Sequence, residues 1–212
     1  MAKRDPFETH IEEYEAWFEK YPAVYDSEVL AIQRHFEELP SNLSGIEVGI
    51  GTGKYARPLG IKTGVEPAKA MRDRAIKNGL EVMDAPAEQL PYGDLQFDFV
   101  LFVTVCHLED ARKALLEAQR VLKQGGSVIV GFIDRESKLG KRYEQKRAQS
   151  LFYREAWFYS VEKMKELLKE AGFKDLVFSQ TLFQDIDDIK KVEKPQKGTG
   201  KGSFVVVRAT RK

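Results

Sequence analysis

Apolar and polar positions change rhythm several times along this chain. Thr9 to Lys20 and Asp26 to Leu39 carry aromatic and aliphatic stripes at helical spacing, with Pro22 between them. The run "SGIEVGI" reads as a short buried strand that ends in a glycine turn. A helix is expected near Lys54 to Leu59, then a second strand at "IKTGVEP". Pro67 suits the first turn of a helix reaching about Lys77, which Asn78-Gly79 stops. "LEVMDA" is a third strand, and "FDFVLFVTV" a fourth, apolar throughout as a strand covered on both faces should be. A helix from Asp110 to Leu122 leads to a fifth strand, "SVIVGFI". Residues 134–159 are irregular or helical. Ser160 is the N-cap of a helix stopped by Gly172. "FKDLVFSQTLF" and "SFVVVRATR" are two late strands joined by a polar, lysine-rich loop.

Strand and helix thus alternate five times before two strands follow each other directly. Alternation implies a parallel sheet with helices on both faces. The final pair forms a hairpin and sets one strand antiparallel. The expected fold is α/β, a Rossmann-like doubly wound sheet of seven strands, mostly parallel, with one antiparallel strand near the C-terminus. No repeat or linker divides the chain, and "EKPQKGTGKGS" reads as a loop tip. We expect a single domain over 1–212: a helical cap at 1–40, a ligand-binding core at 41–133, a candidate lid at 134–160, and the last helix with the terminal strands at 161–212.

Composition narrows the classes of function. The net charge is +1, so no global field holds the protein to nucleic acid or an acidic membrane. The single cysteine, Cys106, excludes an intramolecular disulfide and a multi-cysteine zinc site. The three histidines have no metal-ligand spacing, so no metal is expected. The start has no apolar signal core, and no run approaches the roughly 20 residues that cross a bilayer. A soluble, cytoplasmic protein is expected.

Candidate chemistry sits in "IEVGIGTGKYA". In an open parallel sheet, ligands bind beyond the carboxyl ends of the strands, where strand order reverses. Alternate glycines there let backbone approach a ligand closely. Lys54-Tyr55 lacks the Lys-Ser/Thr pair of a phosphate loop. Gly51-Thr52-Gly53-Lys54-Tyr55-Ala56 does fit G-x-G-x-x-A of dinucleotide sites. Glu47, just before the turn, opposes a pyrophosphate and suits a ligand with positive charge.

"EVGIGTG" resembles the first motif of class I S-adenosylmethionine-dependent methyltransferases, small-molecule type. "GVEPAKAMRDRA", "APAEQLPYGDLQFDFVLFVTVCHLED", "ALLEAQRVLKQGGSVIVGFID" and "FYSVEKMKELLKEAGF" are similar to later segments of that family, in order. The resemblance implies S-adenosylmethionine as cofactor and a direct methyl displacement. It implies that Gly49, Gly51 and Gly53 bend around the methionine part, that Glu47 orders the turn, and that Glu66 accepts hydrogen bonds from the ribose hydroxyls. Pro67 and Met71 would lie near the adenine, and Ala87 and Glu88 would edge it. Pro86 stands where many relatives carry Asp, with Asp84 as a substitute. Thr104 and His107 would face the sulfonium. His107 is the candidate general base, against a simpler role packing over the cofactor or capping the next helix. Tyr14 and Trp17, on a helix that relatives lay over the active site, are candidate acceptor contacts. Cys106 reads as a small core residue, and His10 and His35 as structural or exposed.

After the fifth strand, cations from Arg135 to Arg154 precede Phe152, Tyr153, Trp157, Phe158 and Tyr159. The plain reading is a solvated helix face; the functional one is a lid over a small molecule. The expected partner is therefore a small-molecule methyl acceptor, with nucleic acid disfavoured and no membrane. Two rival functions stay open: an NAD(P)-dependent oxidoreductase and a non-catalytic S-adenosylmethionine-binding protein.

Overall fold

The computed structural model describes residues 6–212. Three helices lead: α1 (Pro6–Thr9), α2 (Ile11–Lys20) and α3 (Pro22–Glu37). They are followed by β1 (Gly45–Val48), β2 (Thr63–Val65), α4 (Lys69–Lys77), β3 (Glu81–Met83) and β4 (Phe97–Val103). Then come α5 (Ala111–Val121), β5 (Leu122–Ile133), α6 (Lys138–Lys146), α7 (Val161–Glu170), β6 (Phe173–Thr181), β7 (Gln196–Lys197) and β8 (Phe204–Arg211). The strands form one sheet in the order β3-β2-β1-β4-β5-β8-β6-β7. Strands β1 to β5 pair in parallel, and β8 runs antiparallel between β5 and β6.

The sheet has eight strands rather than the seven expected. The extra strand is the two-residue β7, which pairs Gln196 and Lys197 with Gln180 and Ser179 at the edge. So short a strand at the edge of a lysine-rich loop leaves no apolar period to read. The expected helix at Lys54 to Leu59 is absent. This stretch is a series of turns, with Arg57 and Gly60 amides bonded to Gly53 and Arg57 carbonyls. Pro58 disfavours helical geometry at Arg57, and six residues are too few to nucleate a helix between them. Pro22 opens α3 as its first helical residue instead of merely separating two helices. At α4 the flanking residue is Ala68, with Pro67 just outside.

Strand β4 shows why its sequence has no polar alternation. Val100 and Phe102 face one apolar layer, with Leu115, Val128, Met164, Leu168 and Val207. Phe99 and Leu101 face the other, with Ile32, Ile129, Phe204 and Val206. Successive side chains point to opposite faces, so a strand buried on both is apolar along its buried length; Asp98, at its start, instead accepts from the Ser44 amide and Lys123. At about 25 cal/mol per Å² of apolar surface, this double layer dominates the stability of the fold. Helix α3 closes the second layer, and its buried His35 hydrogen-bonds Ser179 on β6 at 2.8 Å. The reversal of strand order at β1 and β4 opens a crevice at their carboxyl ends.

Candidate functional site

The turn after β1 is built of bare backbone. Gly49, Gly51 and Gly53 have φ of +70°, +57° and +85°. A Cβ on Gly51 would come within 3.1 Å of the Tyr14 hydroxyl, so the ring of Tyr14 covers the turn. Glu66, directly after β2, is 8% exposed and reaches across. Its Oε2 accepts from the Gly51 amide at 2.9 Å and its Oε1 from the Ala68 amide at 3.0 Å. One carboxylate thus ties the glycine turn to the start of α4. Arg72 stiffens the same corner, donating to the Glu66 and Pro67 carbonyls at 2.7 and 3.0 Å and to Asp84 at 2.9 Å.

Glu47 is 1% exposed beneath the turn. The Ala56 amide bonds its carboxyl, and burial raises its pKa far above the carboxylate range. Its Oε2 and the Thr52 hydroxyl are buried without a hydrogen-bond partner among the described residues. Buried polar atoms are nearly always paired, so two orphans at one bend mark a place shaped for something else.

Across the crevice, Thr104 follows β4 with φ of +59°, a region a β-branched residue enters only when held there. Its amide donates to the Gly131 carbonyl at 2.9 Å. His107 meets Phe7 edge-on at 4.9 Å and stacks on Tyr153 at 5.9 Å. Phe152 meets Phe7 at 5.4 Å and Tyr14 at 6.2 Å. The N-terminal helices and the segment after β5 therefore close over the turn through aromatic edges. A void of about 10 Å³ remains between Thr104, Cys106, Phe132, Tyr153, Phe158 and Tyr159. A broader cleft of about 630 Å³ runs between Phe18, Tyr25, Thr52, Lys54 and Arg57, but Glu66, Thr104 and His107 do not line it.

A family model for the methyltransferase domain matches residues 46–130, from β1 through most of β5. An uncharacterized protein of Methanocaldococcus jannaschii is 44% identical over 204 residues, 96% of this chain and 97% of its own. A crystal structure from Thermotoga maritima, described as a "SAM-dependent methyltransferase, possible histamine N-methyltransferase", superimposes with a TM-score of 0.93 at 44% identity. That match covers 98% of this chain and 99% of the other. The chain belongs to the S-adenosylmethionine-dependent methyltransferases. S-adenosylmethionine is its cofactor. A methyltransferase from Archaeoglobus fulgidus, at 15% identity and a TM-score of 0.68, shares the fold.

The methyltransferase bend fits that cofactor on its own terms: bare glycine backbone, two acids and two unpaired buried oxygens suit a cationic nucleoside better than a diphosphate. Of the expected contacts, the structure brings Glu47, Gly49, Gly51, Gly53, Glu66 and Tyr14 to one place. Met71 and Ala87 are buried nearby, at 1% and 7%, whereas Pro67 is exposed. Trp17 lies against Phe18 and Tyr21, at 5.2 and 5.6 Å. Asp84 pairs through one oxygen with Arg72 at 2.9 Å. Glu88 accepts from the Asp110 amide at 3.0 Å, tying its loop to the start of α5. Among the described residues no group of three His, Cys, Asp or Glu could hold a metal, and no helix is long and apolar enough to cross a membrane. Burial pushes the Cys106 thiol up to about 12, which leaves it inert as a nucleophile.

The sequence reading missed Glu28, Tyr55, Phe7 and Arg72. Glu28 left a signal: it interrupts the apolar face of α3 formed by Val24, Ala31 and Ile32. Burial raises its pKa to about 8, against a lowering hydrogen bond from Tyr55. His35 goes the other way, lowered to about 4 by burial and then by Arg208. A raised acid contributes stability that is full below its unfolded pKa and is lost as pH climbs to the folded value. A lowered histidine loses stability only as pH falls below about 6.5. The two effects oppose each other below about pH 6.5, and above it the raised acids Glu28 and Glu47 act in the same direction. The melting temperature is therefore expected to fall between about pH 6.5 and 8, at roughly 1.4 kcal/mol per unit of pKa difference. Glu28→Gln should make that decline shallower and leave the share that Glu47 contributes. A wild-type melting curve that stays level over this range would contradict the assignment.

Proposed function

We propose that the protein methylates a small-molecule acceptor by direct displacement, in the chamber between the glycine turn, the N-terminal helices and the lid at 134–160. The bridging of Gly51 and Ala68 amides by Glu66, beside the unpaired Glu47 oxygen, carries this reading. When bound, the cofactor supplies a methyl group made electrophilic by its sulfonium. Gly49, Gly51 and Gly53 hold the methionine portion, Glu47 orders their turn, and Glu66 takes the ribose hydroxyls. Pro67, Met71, Ala87 and Glu88 flank the base. Thr104 and His107 stand at the reacting end. The stacking of His107 between Phe7 and Tyr153 favours a packing role over that of a general base.

Alignment in a closed, water-poor space can supply about 7–11 kcal/mol of a displacement barrier. The aromatic contacts of Phe152 with Phe7 and Tyr14 supply that closure. Entry of an acceptor beneath these rings requires the lid to lift. The enclosed, ring-lined roof fits a small molecule better than a polymer. The Thermotoga maritima protein's description names one small molecule, an amine, for that protein.

Titration calorimetry with S-adenosylmethionine and with NADPH tests the first part. Micromolar binding of the former alone is expected, and binding of NADPH alone would refute the reading. Release of S-adenosylhomocysteine with a small-molecule panel tests the second. Tight cofactor binding with no turnover on any panel member would favour a non-catalytic role.

A further inference from the structure

We propose that α1 is a strap latched across the crevice by Glu8, a positioning residue that sets how fast the cofactor enters and leaves. The proposal rests on the placement of S-adenosylmethionine at the glycine turn.

Two neighbouring residues of α1 reach opposite walls. Strands β2 and β4 flank β1, so the segments that follow them form the two sides of the crevice. On the β2 side, the Glu8 carboxylate accepts from the Lys69 amide at 2.5 Å and from the Ala70 amide at 3.1 Å, at the start of α4. On the β4 side, Phe7 meets His107 at 4.9 Å and Phe152 at 5.4 Å. Tyr14, on α2, meets Phe7 edge-on at 6.2 Å and covers Gly51 between the two walls. Helix α1 therefore spans the mouth of the bend.

The latch has a physical reason on each side. A helix begins with amides that have no partner in the helix itself. The residue before α4 is Ala68, which has no side chain to cap them. Glu66 takes the Ala68 amide, and Glu8 takes the next two. A carboxylate is favoured there twice, by charge-assisted hydrogen bonds and by the helix dipole. A second tie joins the same helices: Arg74 on α4 donates to Glu12 and Glu15 on α2, each at 2.7 Å. Helix α1 has four residues, none of them buried. So short a helix has no stability of its own, and the contacts of Phe7 and Glu8 decide where it lies.

Glu8 thus acts through Phe7 and Tyr14 and touches no reacting atom. A cofactor reaches the glycine turn only when those two rings move aside, and it leaves by the same route. Loosening the latch favours the open strap, so entry and exit quicken together and affinity changes little. The other roles open to Glu8 leave different marks. A plain contact with the cofactor would alter exit alone. A purely structural residue would lower the melting temperature and slow entry.

The test uses the full chain, immobilised for surface plasmon resonance, with S-adenosylhomocysteine as the probe. Glu8→Ala is expected to raise the association and dissociation rate constants together, about 5- to 10-fold, with a dissociation constant within about threefold of wild type. Its melting temperature should stay within about 4 °C of wild type. Glu8→Gln, which keeps one acceptor oxygen, should fall between the two. Arg74→Met loosens the second tie from the other helix and should quicken both rates in the same way. Raising sodium chloride from about 50 to 500 mM should speed exchange in wild type, because these pairs are partly exposed. Wild-type rates in a folded Glu8→Ala protein would overturn the proposal. So would faster dissociation with unchanged association, or slower association with a large fall in melting temperature. Failure of wild type to bind S-adenosylhomocysteine would strike the cofactor reading itself and the strap with it, before any variant is made.

Discussion

Glu66→Ala is expected to weaken S-adenosylmethionine binding by about 100-fold, near 2.7 kcal/mol. The carboxylate does two jobs. It accepts from the Gly51 amide at 2.9 Å and the Ala68 amide at 3.0 Å, which fixes the turn, and it stands at the end of β2 where ribose hydroxyls would reach it. Hydrogen bonds to a charged group contribute roughly 1.5–3 kcal/mol each, and losing the ribose pair accounts for most of the effect. Glu66→Gln separates the two jobs. The amide still accepts through its oxygen and keeps the shape of the corner, but turns a donor toward one former partner. It should fall between wild type and alanine. Calorimetry at fixed salt, with thermal melts of the same samples, reads both consequences. A dissociation constant within threefold of wild type in a folded Glu66→Ala protein would remove Glu66 from the cofactor site.

Much of this site is legible in the amino-acid sequence because its signals are local. Strand β4 is apolar at every step but Asp98, and two buried faces are the physical reason. The glycines at 49, 51 and 53 stand where backbone must turn sharply, and all three adopt positive φ. Ser160 and Asp110 cap their helices, accepting from Lys163 and Lys113 amides, as their positions before amphipathic runs imply. What the sequence leaves unread depends on distant contacts or weak periodicity. Asp84 pairs with Arg72, twelve residues earlier, and nothing beside it in the chain announces that bond. Tyr14 and Trp17 are three residues apart on one helix, and only packing decides that Tyr14 covers the turn while Trp17 meets Tyr21. Glu28 is the clearest case. A single acid on a helix normally faces water; its place in the apolar face of α3 hints at burial, but the Tyr55 hydroxyl that bonds it comes from a turn 27 residues on, which no local pattern reports.

Gly64→Ala is expected to destabilise the fold by about 2–4 kcal/mol and to weaken cofactor binding with it. Gly64 is the middle residue of β2, paired in register with Glu47 on β1. A Cβ there would stand 2.5 Å from the Glu47 carbonyl oxygen and 2.8 Å from Ile50 Cδ1. The oxygen belongs to strand backbone and cannot swing aside, so β2 must withdraw from β1 or the turn must shift. Either movement reaches the site. The β2 carbonyl of Val65 accepts from the Gly49 and Ile50 amides at 2.9 and 3.0 Å, and Glu66 comes immediately after. A glycine within a strand lowers β propensity, so the residue is best explained by the close approach of backbone it allows. Denaturant unfolding measures the loss directly. The binding loss should appear even at temperatures where the variant is fully folded, because the turn is displaced in the folded state. A Gly64→Ala protein with wild-type stability and wild-type affinity would show that β2 can retreat without moving the bend, and the coupling between strand packing and cofactor binding would be lost.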